Sequence, residues 1–375
     1  MFKNRCKLIV LLLLIIFLLT GCWDAADVSS LDLSTMVILD RKGDELSFTL
    51  EIAKISSVSG SGEGGGGGGK KQTYLTGTGK DLAEARHALD MQMDKPLFLG
   101  TVRALILTER AAANDLAEYL FRLRENQEYR QKVNISIIQD DPQALTEAEN
   151  ETDQPLGFVI DDTIHTGQAN GHTCAVTTEK YVNDILAKRG FIIQHIGLAD
   201  KQIKLDGYSV FRDAKLVGFI SMESSSGLSY MLSDQPIWVY RLPGDGGFIT
   251  AEVKLGHREI KPSYHDGQVS FRVQLTFKAT IQYKTEVSLF PLNEQNIQQY
   301  SDDLNQVLAQ EVRAAIEQSQ NEFQSDYLEF GEAFRLAYPD EFERMDWSAE
   351  YLKAIIETST SVDISVSDKI DIEAS

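Results

Sequence analysis

Few residues in this chain could carry chemistry, and the first is Cys22. Lys3, Arg5 and Lys7 precede an apolar run from Leu8 to Leu19, and Leu19-Thr20-Gly21-Cys22 closes it. A basic start, a short apolar stretch and small residues before a cleavage point make a secretory signal. The cysteine makes it a lipoprotein signal. The Cys22 thiol is expected to receive a diacylglycerol, and cleavage after Gly21 leaves Cys22 as the mature N-terminus. The apolar run is about 12 residues long, short of the ~20 a membrane-spanning helix needs. Residues 1–21 are therefore read as a cleaved signal, and the mature protein as one held to the outer face of a membrane by lipid.

The remaining candidates are weaker. His165, His172 and Cys174 lie in a polar stretch that reads as loop, and His-x6-His-x-Cys matches no compact zinc spacing. Asp140-Asp141 and Asp161-Asp162 pair carboxylates in sequence. Neighbours on an extended chain point to opposite sides, so neither pair is a natural acid/base dyad. His257 and His265 flank an Asp266-Gly267 turn and read as solvated. Gly64-x4-Gly69-Lys70 looks like a phosphate loop, but Lys71 stands where Ser or Thr is needed and a strand-like segment follows where a helix should begin. No Gly-x-Ser-x-Gly elbow or His-Glu-x-x-His helix appears. Neither a catalytic set, a metal site nor a cofactor is expected.

Charge narrows the partners. The 375 residues include 36 Lys and Arg against 56 Asp and Glu. Three of the basic residues leave with the signal, so the mature chain has 33 against 56, a formal −23. Such a body has no electrostatic affinity for nucleic acid, and anionic headgroups repel it over a Debye length of about 8–10 Å. Attachment falls to the acyl chains, at about 0.8 kcal/mol per buried CH₂. Cys6 leaves with the signal and Cys22 takes the lipid, so Cys174 stands alone and no disulfide framework is possible.

The elements that must carry any function follow from periodicity. Met36–Leu39, a turn at 41–44 and the alternation of Leu46, Phe48, Leu50 and Ile52 with Ser47, Thr49 and Glu51 predict a hairpin with one buried face. Ser59–Lys71, with six consecutive glycines, predicts a surface loop. Asp81 and Glu84 have capping-box spacing ahead of a helix with Leu82, Ala85, Leu89 and Met93 on one face. Val102–Leu107 and Val133–Ile138 read as strands, separated by a helix capped at Thr108 that buries Ala112, Leu116, Tyr119 and Leu123. No clear period follows until a helix near Lys180–Lys188. Residues 190–204 read as a junction, with a hairpin over 208–220 beyond it. Val269–Lys284 alternates apolar and polar at every step, a long antiparallel strand wet on one face, turned by Asp266-Gly267 onto Ile249–Leu255. Ile297, Tyr300, Leu304, Leu308, Val312 and Ile316 trace a helix that should cover that strand's apolar face. Trp347, Tyr351 and Ile355 suggest a shorter helix, and Val362, Ile364 and Val366 a last strand.

The expected fold class is α+β: a multi-domain body with mixed and antiparallel sheets packed by helices. The organisation is a signal over 1–21, a lipid-anchored tether over 22–33, an N-terminal α+β region over 34–195 with room for two subdomains, and a C-terminal α+β domain over 196–375.

Several segments together resemble one family, the Ger(x)C lipoproteins, C subunits of spore nutrient germination receptors. They are Leu19-Thr20-Gly21-Cys22-Trp23-Asp24, Phe98 to Leu107, Gly207 to Gly218 with Glu223 and Gly227-Leu228, and Ser325 to Gly331 with Trp347. Departures are Ala25-Ala26-Asp27-Val28 after the Trp-Asp pair, the polyglycine loop, and Thr101 where the family pattern leads one to expect His. The resemblance implies a three-domain α+β ectodomain at the inner spore membrane and two membrane-protein partners, one with a large soluble region and one transporter-like. It implies assembly within a germinant receptor, not catalysis. The alternative is an extracytoplasmic solute-binding lipoprotein of a transporter. The long antiparallel strand at 269–284 argues against it, because solute binders usually repeat parallel α/β units. An anchored hydrolase would need a clustered nucleophile or metal set.

Overall fold

The structure is a computed structural model that describes residues 28–366 apart from 54–71, 127, 131, 140, 149–153, 175, 245–246 and 285–293. Cys22, the 59–71 loop and Asp140 lie outside the described residues.

A 3-10 turn at Val28–Ser30 opens the chain, so the segment expected as tether over 22–33 already carries structure from Val28. β1 (Asp32–Lys42) and β2 (Glu45–Ala53) form the hairpin, and β3 (Gln72–Gly79) extends it antiparallel. Asp81 starts α1 (Leu82–Asp90) by accepting from the N–H of Ala83 and Glu84. β4 (Leu97–Phe98) and β5 (Ala104–Thr108) run parallel to β1. The Thr108 hydroxyl accepts from Ala111 N and starts α2 (Glu109–Glu125). The chain continues through β6 (Asn134–Ile138), α3 (Pro142–Thr146), α4 (Leu156–Ala169) and α5 (Thr178–Leu186) to β7 (Phe191–Ala199). β8 (Gln202–Arg212) and β9 (Lys215–Ser221) follow as antiparallel neighbours.

Among the described residues these strands make one nine-stranded sheet in the order β3-β2-β1-β5-β6-β7-β8-β9, with β4 beside β1. The boundary expected at 195/196 falls inside it, because β7 pairs with β6 on one side and β8 on the other. The central strands are buried on both faces, as their unbroken apolar runs require. One face packs α1, α2 and α5 through Ala85, Leu89, Leu116 and Val182. The other packs α4 through Leu156, Ile160 and Ile164.

After α6 (Ser226–Leu232), β10 (Ile237–Gly244), β11 (Gly247–His265) and β12 (Gln268–Lys284) form a second sheet completed by β13 (Ile355–Val366). The alternation of β12 is realised: Val273, Phe277 and Ile281 are buried while Arg272, Gln274 and Lys278 are exposed. Its buried face is covered by α7 (Glu294–Glu317), through Leu304, Leu308 and Val312. A π turn at Gln318–Glu322, α8 (Phe330–Ala337), α9 (Pro339–Arg344) and α10 (Trp347–Tyr351) close that core. Ile192, Tyr208 and Val210 of the first sheet belong to the same apolar cluster, so the two sheets share a core.

Three local expectations are corrected. The stretch that showed no period contains α4, which has no side-chain cap of its own at Pro155. The polar face of β2 is not wet throughout: Glu51 and Thr49 are buried. The helix at Trp347 ends at Tyr351, and Ile355 is exposed at the start of β13 instead of lying two turns along a helix. β13 runs parallel to β12, since α7 to α10 return the chain to the same end of the sheet.

Candidate functional site

Of the residues singled out in sequence, Cys22 and Asp140 lie outside the described residues. The others do not converge. His165 is exposed on α4, with Nδ1 2.8 Å from the backbone oxygen of Asp161. His172 reaches the Ile237 carbonyl at 2.8 Å and packs on the Trp238 ring. Asp161 sits on a helix, not on extended chain. It is buried and ion-paired with Arg103 at 2.8 Å while accepting from the Asn134 amide, so it ties α4 to the ends of β5 and β6. Asp141 caps α3 by accepting from Gln143 N. His257 and His265 are exposed. Among the described residues, no group of three or more His, Cys, Asp or Glu is placed to hold a metal ion.

What the fold builds instead is a cleft between α4, α5 and β7 on one side and residues 232–235, 327 and 329 on the other. It has a volume of about 510 Å³, and its walls include Cys174, Lys180, Tyr181, Phe191, Ser233 and Glu329. A second recess of about 400 Å³ shares Lys180, Asp184, Gly190 and Glu329 with it and adds Arg189, Asp326 and Glu332. Lys180 on α5 spans the gap, 2.8 Å from Asp184 and 2.9 Å from Glu329. Arg189 makes a parallel bridge, 3.5 Å from Asp184 and 3.3 Å from Glu332 on α8. Burial works against the Lys180 ammonium, but its hydrogen bond to Asp184 and the charge of Glu329 outweigh burial and raise its pKa. Two cations from the first half thus hold two carboxylates from the second.

The segment that presents those carboxylates is conformationally costly. Gln324 and Glu329 both have left-handed backbone, with φ of 50° and 65°. For a residue other than glycine that region costs roughly 1–2 kcal/mol. Asp326 holds the segment in place: its carboxylate accepts from Phe330 N at 3.0 Å, Gly331 N at 2.6 Å and Trp347 Nε1 at 2.8 Å. Burial pushes its pKa up to about 6 against the pull of those three donors. Gly331 must lack a side chain, because a Cβ there would stand 2.5 Å from Trp347 Nε1.

The Cys174 thiol, beside Ser233 Oγ at 3.9 Å, is pushed up to about 11 by burial, so at neutral pH it is a thiol and a poor nucleophile. The carboxylates of Asp184, Glu329 and Glu332 are ion-paired, and that of Asp326 caps α8. The arrangement can clamp one half of the chain to the other beside an open recess. Sequence reasoning reached Asp326 and Gly331 only through resemblance, reached Trp347 through helical spacing as well, and missed Lys180, Asp184 and Arg189. Their one local signal is the i, i+4 spacing of Lys180 and Asp184.

Comparison with known proteins accounts for this architecture. Residues 24–198 match the family model described as the spore germination protein N-terminal domain. Residues 206–368 match the model described as spore germination B3/GerAC-like, C-terminal. Spore germination protein B3 of Bacillus subtilis (strain 168) is 20% identical over 358 residues, covering 92% of this chain and 93% of that protein. Spore germination protein KC of the same organism is 21% identical, covering 93% and 92%. The crystal structure of the GerBC protein superimposes with a TM-score of 0.57 at 15% identity, covering 90% of this chain and 99% of that one. The fold is therefore the two-sheet, mixed α and β architecture of a spore germination protein. The chain belongs to the Ger(x)C family of spore germination proteins.

Proposed function

We propose that this protein is the lipid-anchored subunit of a spore germinant receptor, and that it acts by assembly with other subunits and not by catalysis. The observation that carries this is the match of both halves, in order, to spore germination family models. The Leu19-Thr20-Gly21-Cys22 sequence supports a signal over 1–21 and a diacylglycerol on Cys22. Among the described residues no helix is long and apolar enough to cross a membrane. The expected location is the outer face of the inner spore membrane. The expected partners are two membrane-protein subunits, one with a large soluble region and one transporter-like.

A second reading, a solute-binding lipoprotein of a transporter, has one observation in its favour. The cleft of about 510 Å³ lies within the volume range of small-ligand sites.

Deleting the gene should abolish the response of dormant spores to one nutrient class while leaving other germination routes intact. It should also lower the level of partner subunits, since a subunit that binds only the folded complex stabilises it by mass action. Cys22→Ala should shift the protein from the membrane to the soluble fraction. Normal germination of deletion spores on every nutrient would overturn the receptor role. Membrane retention of the Cys22→Ala protein after a salt wash would overturn the lipid anchor.

A further inference from the structure

Cys22 and Val28 are six residues apart, and an extended chain covers at most about 20 Å over that length. On the lipid-anchor reading given above, the surface around Val28 is therefore held within that distance of the headgroups. Three large apolar side chains are exposed on the segments that meet there: Val28 at 53%, Met91 at 76% and Phe98 at 42%. Exposed apolar residues scattered singly need no explanation. The segments that carry Val28 and Phe98 are bonded to one another, and Met91 precedes Phe98 on the same connection. Lys95 Nζ donates to the Ser29 carbonyl at 2.9 Å. Asp32 N donates to the Pro96 carbonyl at 3.0 Å, and Leu33 pairs with Phe98 in the β1–β4 ladder. The connection that carries Met91 and Phe98 is thus laced to the point where the chain enters the fold.

We propose that Val28, Met91 and Phe98 form a membrane-contact face that beds into the interfacial region of the bilayer holding the anchor. Phe98 is suited to this because it is rigid. Its ring lies over Gly100, where a Cβ would stand 2.5 Å from the ring's Cζ, and its strand is fixed to β1. Charge adds little here. The Lys95 ammonium donates to the Ser29 carbonyl and its charge is offset by the neighbouring exposed Asp94, while Asp90 is paired with Arg86 at 2.8 Å. Contact therefore comes from apolar side chains entering the headgroup boundary, not from attraction to anionic lipid. With the mature chain at −23, it also sets which side of an acidic body faces the membrane.

The test uses the lipidated protein in phosphatidylcholine vesicles, with Met91→Cys and Phe98→Cys labelled by an environment-sensitive fluorophore. Leu336→Cys, at 71% exposure on α8, is the control. Met91 is the more exposed of the two positions, so its label reports even where the Phe98 variant folds poorly. Mass spectrometry of the N-terminal peptide first establishes the lipid on Cys22, so failure of the anchor is read separately. The labels at 91 and 98 should shift to the blue and be quenched at least threefold more by brominated lipid than the label at 336, unchanged in 0.5 M salt. Quenching equal to that at 336 would overturn the proposal. So would a blue shift that appears only when partner subunits are co-reconstituted, which would make this a protein-docking surface.

Discussion

Glu51 and Gly157 are joined across 106 residues of chain: the buried Glu51 carboxylate on β2 accepts from Gly157 N at 2.8 Å, at the start of α4. The same carboxylate accepts from Leu156 N at 2.7 Å, from Thr35 Oγ1 at 2.5 Å and from Tyr74 Oη at 3.1 Å. A strand in the first hairpin thus supplies the cap that Pro155 lacks, and its charge sits at the positive end of the helix. Glu51→Ala leaves two helix N–H groups and a buried hydroxyl without their acceptor. It should cost about 2–4 kcal/mol, read as a lower midpoint in urea unfolding. Ser47→Ala, earlier on the same strand, should shift it by less than about 0.5 kcal/mol. Equal effects would mean that the cap contributes nothing.

The left-handed backbone at Glu329 can be separated from its ion pair. Glu329→Ala loses the Lys180 contact and keeps the unfavourable φ of 65°, whereas Glu329→Gly loses the contact and relieves the φ. The glycine variant should therefore be the more stable of the two by about 1 kcal/mol. Calorimetry or urea titration of the two proteins decides it, and an alanine variant that matches glycine would show that the segment carries no strain.

Asp326 predicts a pH dependence with a defined sign. Its folded pKa is raised to about 6 from an ordinary value of 3.8, so between those values the native state binds the proton more tightly than the unfolded chain. Its contribution to stability is full below 3.8 and is lost as pH rises through about 6. The shift corresponds to roughly 3 kcal/mol, at about 1.4 kcal/mol per pH unit. Asp326→Asn removes the titration. The stability difference, parent minus variant, should fall between about pH 4 and pH 7.5, and a difference that stays flat over that range would refute the assignment.

Phe277 and Lys278 are neighbours on β12 with opposite fates, one 1% exposed in the core and one open to solvent. Phe277→Asp should prevent stable folding, because it buries an unpaired charge and empties an aromatic site worth about 3–5 kcal/mol. Lys278→Asp should stay within about 0.5 kcal/mol of the parent. Circular dichroism and thermal melts of the two variants distinguish them.

The local elements were legible because their causes are local. The alternation of Val269–Lys284 gives a strand with one wet face whatever lies above it, and Asp81 and Thr108 carry their caps within three residues of the N–H groups they serve. The caps of α4 and α8 were not legible to the same degree. α4 is capped by Glu51 from more than a hundred residues away, while Asp326 accepts from Phe330 N and Gly331 N and from Trp347 Nε1, a donor 21 residues further on.

By itself the sequence determined the hairpins, the amphipathic helices and the acidic charge, all properties of residues near one another along the chain or of their sum. Only the tertiary structure decided that β7 to β9 continue the first sheet past the junction near 196 and that β13 returns parallel to β12. It also decided that Lys180 and Arg189 meet Glu329 and Glu332 across a cleft. Strand order and long-range pairing depend on which buried faces find one another when the chain collapses. Residue types and spacing record the faces, but not the partner each one meets.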